Sequence, residues 1–266
     1  MSNAGQGAAA PVWVVIPAAG AGLRMGATTA TGKLLHPLAG RTLLLHTVQA
    51  FQSHPRVSRV QVVARQEDFA ALEALFAPRS AWHKLLPWVA GGTDRQGSVH
   101  RGLQALRAAG GIPAEGAAPR PSAGPVPGTP WVLVHDGARP LCSSLLIDRV
   151  LEALALHAAV IPALPVHDTV RWVAADAARP RERVVERQRL ALCQTPQGFH
   201  WPVLWRAHEQ ARDSGFRGTD DGQLVEQAGE PVHLVPGERR NVKVTLPADL
   251  EWAEWLVQHP DWGLGG

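Results

Sequence analysis

Two basic residues, Arg24 and Lys33, lie in a segment of small residues that directly follows an apolar run (residues 17–33, PAAGAGLRMGATTATGK). Small residues let a backbone approach a ligand closely, and exposed N–H groups in such a turn hold phosphate oxygens. The segment is not a Walker A loop, because Leu34 stands where Ser or Thr would bind magnesium. We predict a loop whose amides and two cations stabilise charge on a phosphate group undergoing displacement. The alternative is a β-to-α turn with an exposed Arg24.

A second candidate segment is the paired glycine sequence at residues 91–98 (GGTDRQGS). Paired glycines permit the close approach of a planar ring. Ser98 stands where we expect a helix to begin, so the segment is a candidate for close approach to a ligand. The alternative is a simple helix N-cap formed by Asp94 or Ser98.

A third candidate is the sequence HDGARP at residues 135–140, directly after another apolar run. Open α/β sheets bind ligands at the carboxyl ends of their strands. Asp136 could position a metal–phosphate group or a ligand hydroxyl, and Arg139 could bind a phosphate in a bidentate manner. An Asp–Arg pair that only ties down a turn is the alternative interpretation.

Lysine is scarce in this chain, and its positions therefore carry information. Of the 26 basic residues only Lys33, Lys84 and Lys243 are lysines, and the rest are arginines. A lysine that persists against such a bias indicates a need for a compact point charge. This observation adds weight to Lys243 in the sequence NVKVT, which would otherwise pass for a strand end.

Composition excludes several other classes of protein. The net charge of +3 favours anionic ligands weakly and gives no support for a nucleic-acid partner. The 12 histidines form no H-x-x-x-H or H-E-x-x-H pair, and there is no G-x-S-x-G sequence, so we expect neither a protein-held zinc ion nor an α/β-hydrolase. No apolar run approaches the roughly 18 residues of a membrane span. Without a secretory signal, and with two cysteines that form no C-x-x-C pair, we expect a cytoplasmic protein.

The elements that must position these residues alternate along the first two thirds of the chain. Apolar runs predict strands and helical spacing predicts helices, in the order strand 12–17, helix 42–51, strand 58–64, helix 66–76, strand 86–89, helix 98–109, strand 131–135, helix 143–157 and strand 158–164. This order is typical of an α/β fold with a mainly parallel, doubly wound sheet. Further along we predict helices at 202–212, 219–228 and 247–258, and strands at 231–235 and 241–245.

Two segments interrupt the regular pattern. The stretches 167–173 and 183–185 are short and β-like, and we predict that they form a protruding hairpin, an arm at about residues 166–186. Residues 108–130 contain 11 Gly or Pro in 23 positions, and we expect a surface insertion there. The prediction is a single domain over residues 12–258, with tails at 1–11 and 259–266.

Taken together, these motifs resemble the 2-C-methyl-D-erythritol 4-phosphate cytidylyltransferase family. The resemblance runs from about Val12 to Leu256 outside the insertion, and it is carried by PAAGAGLRM, GG-x-x-R-x-x-S, VHDGARP, the D-T of VHDT, TPQ, the T-D of GTDD, and NVKVT followed by P-x-D-L. It implies a Rossmann-like nucleotidyltransferase fold, the substrates CTP and 2-C-methyl-D-erythritol 4-phosphate, magnesium as cofactor, and a homodimer in which the arm reaches the neighbouring subunit. It implies no membrane or nucleic-acid partner, and we expect no C-terminal cyclase domain.

The resemblance also implies roles for individual residues. Arg24 and Lys33 would be catalytic, stabilising the transition state at the α-phosphorus. The nucleotide would be bound by Pro17, Ala18, Ala19, Gly20, Gly22, Gly92, Ser98, Asp136 and Gly137, with Asp136 also near a magnesium ion held mostly by phosphates. The methylerythritol phosphate would be bound by Arg139, Thr169, Arg187, Thr195 and Lys243.

This chain departs from the family pattern after the first loop. It has Gly32-Lys33-Leu34-Leu35 where the family usually has P-K-Q before an aromatic residue, and Arg24 and Lys33 are about two residues further apart. Two alternative functions therefore stay open. One is cytidylyl transfer to another polyol phosphate, such as ribitol 5-phosphate, and the other is a catalytically silent nucleotide-binding protein.

Overall fold

The structure is a computed structural model that describes residues 10–20, 33–112, 129–173 and 183–263. The strands within those ranges are β1 (Val12–Pro17), β2 (Pro37–Leu38), β3 (Arg41–Thr42), β4 (Val57–Ala64), β5 (Val89–Ala90), β6 (Trp131–Val134), β7 (Ala159–Pro165), β8 (Val170–Trp172), β9 (Arg183–Val185), β10 (Ala191–Cys193), β11 (Gln197–His200) and β12 (His233–Pro236). The α-helices are α1 (Leu43–Ser53), α2 (Phe69–Leu75), α3 (Arg95–Gly110), α4 (Ser144–Ala153), α5 (Trp201–Ser214), α6 (Asp221–Gln227) and α7 (Pro247–Gln258). Among these helices none is long and apolar enough to cross a membrane.

One large sheet contains most of the strands, and one side of it is entirely parallel. The order is β10-β7-β11-β6-β1-β4-β5, with β12 also paired to β7. Strands β6, β1, β4 and β5 are parallel to one another, and β12 is parallel to β7. Strand β11 runs antiparallel between β6 and β7, and β10 is antiparallel to β7. The predicted, mainly parallel α/β sheet is therefore confirmed, with two antiparallel strands, β10 and β11, that the sequence pattern did not predict.

Helices cover both faces of this sheet, as the doubly wound prediction requires. Alternate residues of a strand point to opposite faces, and β1 follows this rule. Val12, Val14 and Ile16 belong to an apolar cluster with α1 and α4, whereas Trp13 and Val15 belong to a second cluster with α3 and α5. β1 is buried on both faces, and its carboxyl end leads into residues 18–20 at the edge of the sheet.

Short polar side chains fix where the helices begin. Thr42 accepts a hydrogen bond from Leu45 N at the start of α1, and Ser143 does the same for Leu146 N at the start of α4. Asp94 caps α3 by accepting from Gly97 N at 2.7 Å. Helix α3 therefore begins at Arg95 and not at Ser98, because the Asp94 carboxylate satisfies the free amides one turn earlier.

The predicted strand at residues 241–245 is wrong. The segment has the β-branched alternation of a strand, but its backbone bonds to other partners: Val244 N donates to Ala138 O at 2.9 Å and Thr245 N donates to the Asp249 carboxylate at 2.7 Å. These backbone groups are therefore not available for the inter-strand hydrogen bonds of a sheet. The segment instead crosses the edge of the sheet, which brings Lys243 next to the loop after β6.

The two β-like stretches of the predicted arm do pair. Strands β8 and β9 form a separate antiparallel ribbon in which Val170 faces Val185 and Trp172 faces Arg183. The intervening residues 174–182 lie outside the described residues. So do the central part of the predicted insertion (113–128), the outer parts of the two tails, Gly22, Arg24 and the side chain of Lys33. The first residues of the predicted insertion belong to α3, which continues to Gly110.

Candidate functional site

The loops after β1, β5 and β6 meet at the carboxyl edge of the sheet. Gly137 N, after β6, donates to Pro17 O at the end of β1, at 3.4 Å. Ala18 N, in the next position, donates to Val63 O in β4 at 2.7 Å. Neighbouring parallel strands end at the same edge, which is where open α/β sheets bind ligands. The structure therefore brings the first and third candidate segments together.

Glycines allow the second candidate segment to join them. A Cβ atom on Gly91 would lie 2.2 Å from Cβ of Ala19, and one on Gly92 would lie 2.7 Å from the carbonyl carbon of Gly97. Neither position has room for a side chain. The loop after β5 consequently packs directly against Ala19 and the loop after β1.

Ser98 lies one turn inside α3 and faces this glycine pair. Its Oγ accepts from Gly92 N at 3.1 Å and donates to Asp94 O at 2.8 Å. Asp94, as the alternative reading of the motif expected, is the N-cap. The Ser98 hydroxyl thus fixes the Gly92 backbone relative to the helix.

The centre of the site is a carboxylate surrounded by cations. Oδ2 of Asp136 lies 2.7 Å from Lys243 Nζ and 3.9 Å from Arg139 Nε, and Oδ1 accepts from Arg95 Nε at 3.1 Å. The Asp136 side chain is only 11% exposed, whereas the Lys243 side chain is 43% exposed. Lys243 can therefore reach a ligand from solvent while it remains paired with Asp136.

These charges set the protonation state of Asp136. Burial by itself would raise the pKa of this carboxyl group, but Arg95, Lys243 and Arg139 outweigh burial and hold the pKa well below its ordinary value. Asp136 is therefore ionised at neutral pH. The three cations outnumber the two carboxylates, Asp136 and Asp221, with which they pair, and a cluster with an excess of positive charge attracts an anionic ligand.

A buried histidine supports the loop that carries Asp136. His135 Nε2 donates to Arg139 O at 3.0 Å, and Nδ1 accepts from the Thr195 hydroxyl at 3.1 Å. The Thr195 oxygen in turn accepts from Asp136 N at 3.1 Å. Burial lowers the pKa of His135 to about 4, so the imidazole is neutral. Thr195 is thereby held beside Asp136, and its predicted contact with the acceptor phosphate stays a prediction.

Asn241 joins the same hydrogen-bond network; it stands in the NVKVT motif, which carries the family resemblance, but no role is predicted for it there. Its carbonyl oxygen accepts from Nη1 of Arg139 at 2.6 Å, and its Nδ2 donates to Thr195 O at 2.7 Å. The residue is completely buried. Asn241 therefore anchors the 241–245 segment, and with it Lys243, to the loop after β6.

Arg95 and Asp221 are the charged residues that the site predictions missed. Arg95 bridges two carboxylates: its Nε donates to Asp136 and its Nη1 donates to Asp221 Oδ2 at 2.7 Å. Arg95 stands inside GG-x-x-R-x-x-S, and Asp221 directly follows the T-D of GTDD, and both of these motifs carry the family resemblance. Those motifs were the available signal, but nothing in the sequence showed that the two side chains meet.

Two predicted site residues lie elsewhere in the chain. Thr169 and Arg187 are exposed residues at the base of the arm. Within the described ranges no hydrogen bond joins either of them to the Asp136 cluster, which is Asp136 with Arg95, Arg139 and Lys243. Arg187 donates to the carbonyl oxygen of His167. The structure thus gathers Pro17, Ala18, Ala19, Gly91, Gly92, Ser98, Asp136, Gly137, Arg139, Thr195 and Lys243 at one edge, and places Thr169 and Arg187 on the arm.

The open α/β sheet, with its glycine-lined edge and a carboxylate ringed by cations, matches solved structures of α/β nucleotidyltransferases. The comparisons with known proteins specify the kind. The family model described as IspD, 2-C-methyl-D-erythritol 4-phosphate cytidylyltransferase, matches residues 12–112 and 125–259. The chain belongs to this family.

Individual relatives agree with this placement. The 2-C-methyl-D-erythritol 4-phosphate cytidylyltransferase of Synechocystis is 38% identical over 244 residues, which cover 92% of this chain and 96% of that protein. The protein of the same name from Bacillus mycoides is 37% identical, over 91% of this chain and 95% of its own length. Among solved structures, the enzyme of that name from Thermus thermophilus is 36% identical, with a TM-score of 0.70 over 93% of this chain and 98% of that chain.

Proposed function

We propose that this protein transfers the cytidylyl group of CTP to 2-C-methyl-D-erythritol 4-phosphate, giving 4-diphosphocytidyl-2-C-methyl-D-erythritol and pyrophosphate in isoprenoid precursor biosynthesis. Membership of the family supports the identity of the substrates. The single structural observation that carries the proposal is the ion cluster in which Arg95, Arg139 and Lys243 surround Asp136 at the glycine-lined edge of the sheet.

The proposed reaction needs charge neutralisation and alignment, and it needs no general base. A phosphate oxygen of the acceptor forms a bond to the α-phosphorus of CTP, and the bond from that phosphorus to the β-phosphate oxygen breaks, so pyrophosphate leaves with the electron pair. A phosphomonoester has a second pKa of about 6 and is mostly a dianion at neutral pH. The protein must then hold two polyanions together, for which cations are suited. His135 uses both ring nitrogens within the protein, so it is not available as a base.

In the proposed complex each part of the edge has one task. The backbone of residues 17–20 and of Gly92 lies beside the nucleotide, and Asp136 accepts from a ribose hydroxyl. Lys243 and Arg139 hold the acceptor phosphate together with Thr195. Arg24 and Lys33 stabilise the charge that develops around the α-phosphorus.

We propose that magnesium enters the site with CTP. Both oxygens of Asp136 are already engaged by Arg95 and Lys243, and the described part of the chain contains no group of three or more His, Cys, Asp or Glu side chains suited to a metal ion. Magnesium is commonly held by one or two carboxylates and by substrate phosphates. The residues fit an ion held mainly by the triphosphate, with the Asp136 carboxylate beside it. When bound, the ion would neutralise charge on the phosphates.

The experiment that tests the function is pyrophosphate release with CTP, magnesium and methylerythritol phosphate, beside a ribitol 5-phosphate reaction. Lys33→Ala and Lys243→Ala are the test variants. Lys84→Ala is the matched control, because Lys84 donates to His54 O at 2.7 Å and has no contact with the Asp136 cluster. If each cation acts like a single donor to a developing oxyanion, each test variant loses a factor of about 10² to 10³ in kcat/KM, while Lys84→Ala keeps the wild-type value.

Each result has a distinct meaning. Release with methylerythritol phosphate alone, reduced in the two test variants only, supports the proposal. Release with ribitol 5-phosphate alone moves the function to another polyol phosphate. CTP binding without release from either acceptor refutes the enzymatic function and leaves a nucleotide-binding protein.

We also propose that the protein acts as a homodimer joined through the arm. Trp172 and Val184 of the arm are 62% and 54% exposed. A two-stranded ribbon is marginally stable by itself, so a second copy that covers these apolar side chains would stabilise it. The arm carries Thr169 and Arg187, and a dimer would bring both residues to the site of the neighbouring subunit.

A cytoplasmic location is the remaining proposal, together with partners limited to the two anionic substrates and a second copy of the chain. The thiols of Cys142 and Cys193 are both free, which suits a reducing compartment.

A further inference from the structure

A fully buried carboxylate lies behind the Asp136 cluster. Asp221, the first residue of α6, is 0% exposed and uses both of its oxygens. Oδ2 accepts from Arg95 Nη1 at 2.7 Å, and Oδ1 accepts from His208 Nε2 at 2.9 Å. Asp221 thus connects α5, which carries His208, with α3, which carries Arg95.

Arg95 transmits this connection to the site. Its guanidinium is a planar fork whose donors keep fixed directions, and its two ends bond to different carboxylates, Asp221 and Asp136. Burial alone would lower the pKa of Arg95, but the two carboxylates outweigh burial and raise it, so the fork stays charged. The direction in which Arg95 meets Asp136 therefore depends on Asp221.

The start of α6 is fixed to the same sheet that carries Asp136. Gln197, in β11, accepts from Gly222 N at 3.2 Å and donates to the Asp220 carboxylate at 2.7 Å. Gln197 also pairs with Val134, the last residue of β6. These hydrogen bonds and this strand pairing fix the position of Asp221 relative to the loop that begins at His135.

His208 fixes the second oxygen of Asp221. Its side chain is 1% exposed, and its Nε2 carries the proton that it donates to Asp221. His208 stacks on His100 with ring centroids 6.0 Å apart. Because no solvent reaches the pair, the hydrogen bond restricts the Asp221 carboxylate to one orientation.

We propose that Asp221 and His208 are positioning residues for the cytidylyl transfer: they orient Arg95, which in turn orients Asp136 toward CTP. The inference rests on the proposed function and assigns no contact with substrate to either residue. Without the charge of Asp221, the guanidinium keeps Asp136 as its carboxylate partner and turns toward it. Asp136 then leaves the place in which it meets the nucleotide.

The expected signature is a change in KM for CTP. Asp136 meets the nucleotide both in the ground state and in the transition state, so misplacing it weakens binding in both and raises KM while kcat changes little. A merely structural defect has the opposite pattern, because it lowers the fraction of active protein and hence kcat, and leaves KM unchanged.

The test uses the full chain with three variants and a matched control. Asp221→Asn removes the charge, His208→Leu removes the donor, and His208→Gln keeps an N–H donor at the end of the side chain. His54→Leu is the control, because His54 is also buried and also bonds a carboxylate, Asp148, at 3.1 Å, but has no link to Arg95.

We expect Asp221→Asn to raise KM for CTP about tenfold and His208→Leu about threefold, with kcat within about a factor of two. His208→Gln should restore the wild-type KM, and His54→Leu should keep it despite a lower Tm. An unchanged KM in Asp221→Asn overturns the proposal, and so does an equal rise in His54→Leu. If His208→Leu does not fold, Asp221→Asn and His208→Gln carry the same comparison.

Binding of CTP with magnesium and no acceptor separates this inference from the proposed function. If wild type binds CTP but releases no pyrophosphate, the function fails, and the ratio of dissociation constants between Asp221→Asn and wild type still decides the positioning role. If wild type does not bind CTP, both are refuted.

Discussion

At the scale of single residues, His135 shows how a buried side chain serves a site without taking part in the chemistry. Its two ring nitrogens hold Arg139 O and the Thr195 hydroxyl, and only the neutral imidazole can make both bonds, since it donates at one nitrogen and accepts at the other. Protonation would turn the accepting nitrogen into a donor. The loop after β6 therefore requires His135 to stay neutral.

This requirement predicts a pH-dependent stability. The pKa of His135 is lowered from 6.5 to about 4 by burial, so between these values the unfolded chain binds a proton that the native protein does not. The stabilisation is complete above about pH 6.5 and is lost as the pH falls toward 4. Between about pH 7.5 and pH 5, the free energy of unfolding should fall by about 2 kcal/mol more in wild type than in His135→Gln.

Urea unfolding of both proteins at the two pH values measures this difference. Glutamine can donate to Arg139 O and does not titrate, so the remaining histidines contribute equally to both proteins and cancel. Equal pH dependence in wild type and variant would contradict the assignment of a neutral His135.

At the scale of elements, the contact between the loops after β1 and β5 depends on the missing side chain of Gly91. A methyl group there would lie 2.2 Å from Cβ of Ala19, and such overpacking forces the backbone to move. Gly91→Ala should therefore separate the two loops and raise KM for CTP by about tenfold, since small misplacements of binding groups are costly.

A compensating change makes this prediction specific. Ala19→Gly removes the methyl group that the new side chain would meet, so the double variant should recover most of the lost affinity for CTP. Among the described residues no atom lies within 4 Å of a Cβ placed on Gly20, and Gly20→Ala should keep the wild-type Tm. Failure of Ala19→Gly to rescue Gly91→Ala would show that the two loops do not act through this contact.

The elements predicted correctly from sequence patterns are those whose own residues determine whether they form a strand. β1, β4, β6 and β7 are apolar runs long enough to be buried strands, and their predicted positions agree with the structure to within one or two residues. β11 was missed because Gln197–His200 has no such pattern. β11 becomes a strand because it pairs with β6 on one side and β7 on the other. Gly198 is required there because a Cβ atom would lie 2.6 Å from the Val150 side chain.

The residues of the site that could be predicted from sequence are mainly those that directly follow a predicted strand. Asp136 and Arg139 directly follow β6, and the structure brings them together with Thr195 and Lys243, whose roles remain predictions. Arg95 was not assigned a role, because its partner Asp221 is 126 positions away in the chain. Pairings at that separation depend on the complete topology, which periodicity does not specify.

At the scale of the whole molecule, we expect the position of the arm to decide which residues complete one site. The Asp136 cluster belongs to the sheet, whereas Thr169 and Arg187 belong to the exposed arm, which is held at its base by Arg187 and by Arg239, whose Nη2 lies 2.8 Å from His167 Nε2. If the arm serves the neighbouring subunit, every site contains a sheet from one copy and an arm from the other.

Mixing two inactive variants tests this arrangement. Lys243→Ala damages the sheet part of a site, and Arg187→Ala damages the arm. A mixed dimer then contains one site with an intact Lys243 from one copy and an intact Arg187 from the other, so an equal mixture should regain about a quarter of the wild-type activity. A mixture of Lys33→Ala and Lys243→Ala is the control, and it should regain none, since both changes affect the sheet part of the same subunit. Light scattering should give twice the chain mass of 28.5 kDa for each variant. Absence of recovery in the first mixture, with dimers present, would mean that each arm serves its own subunit.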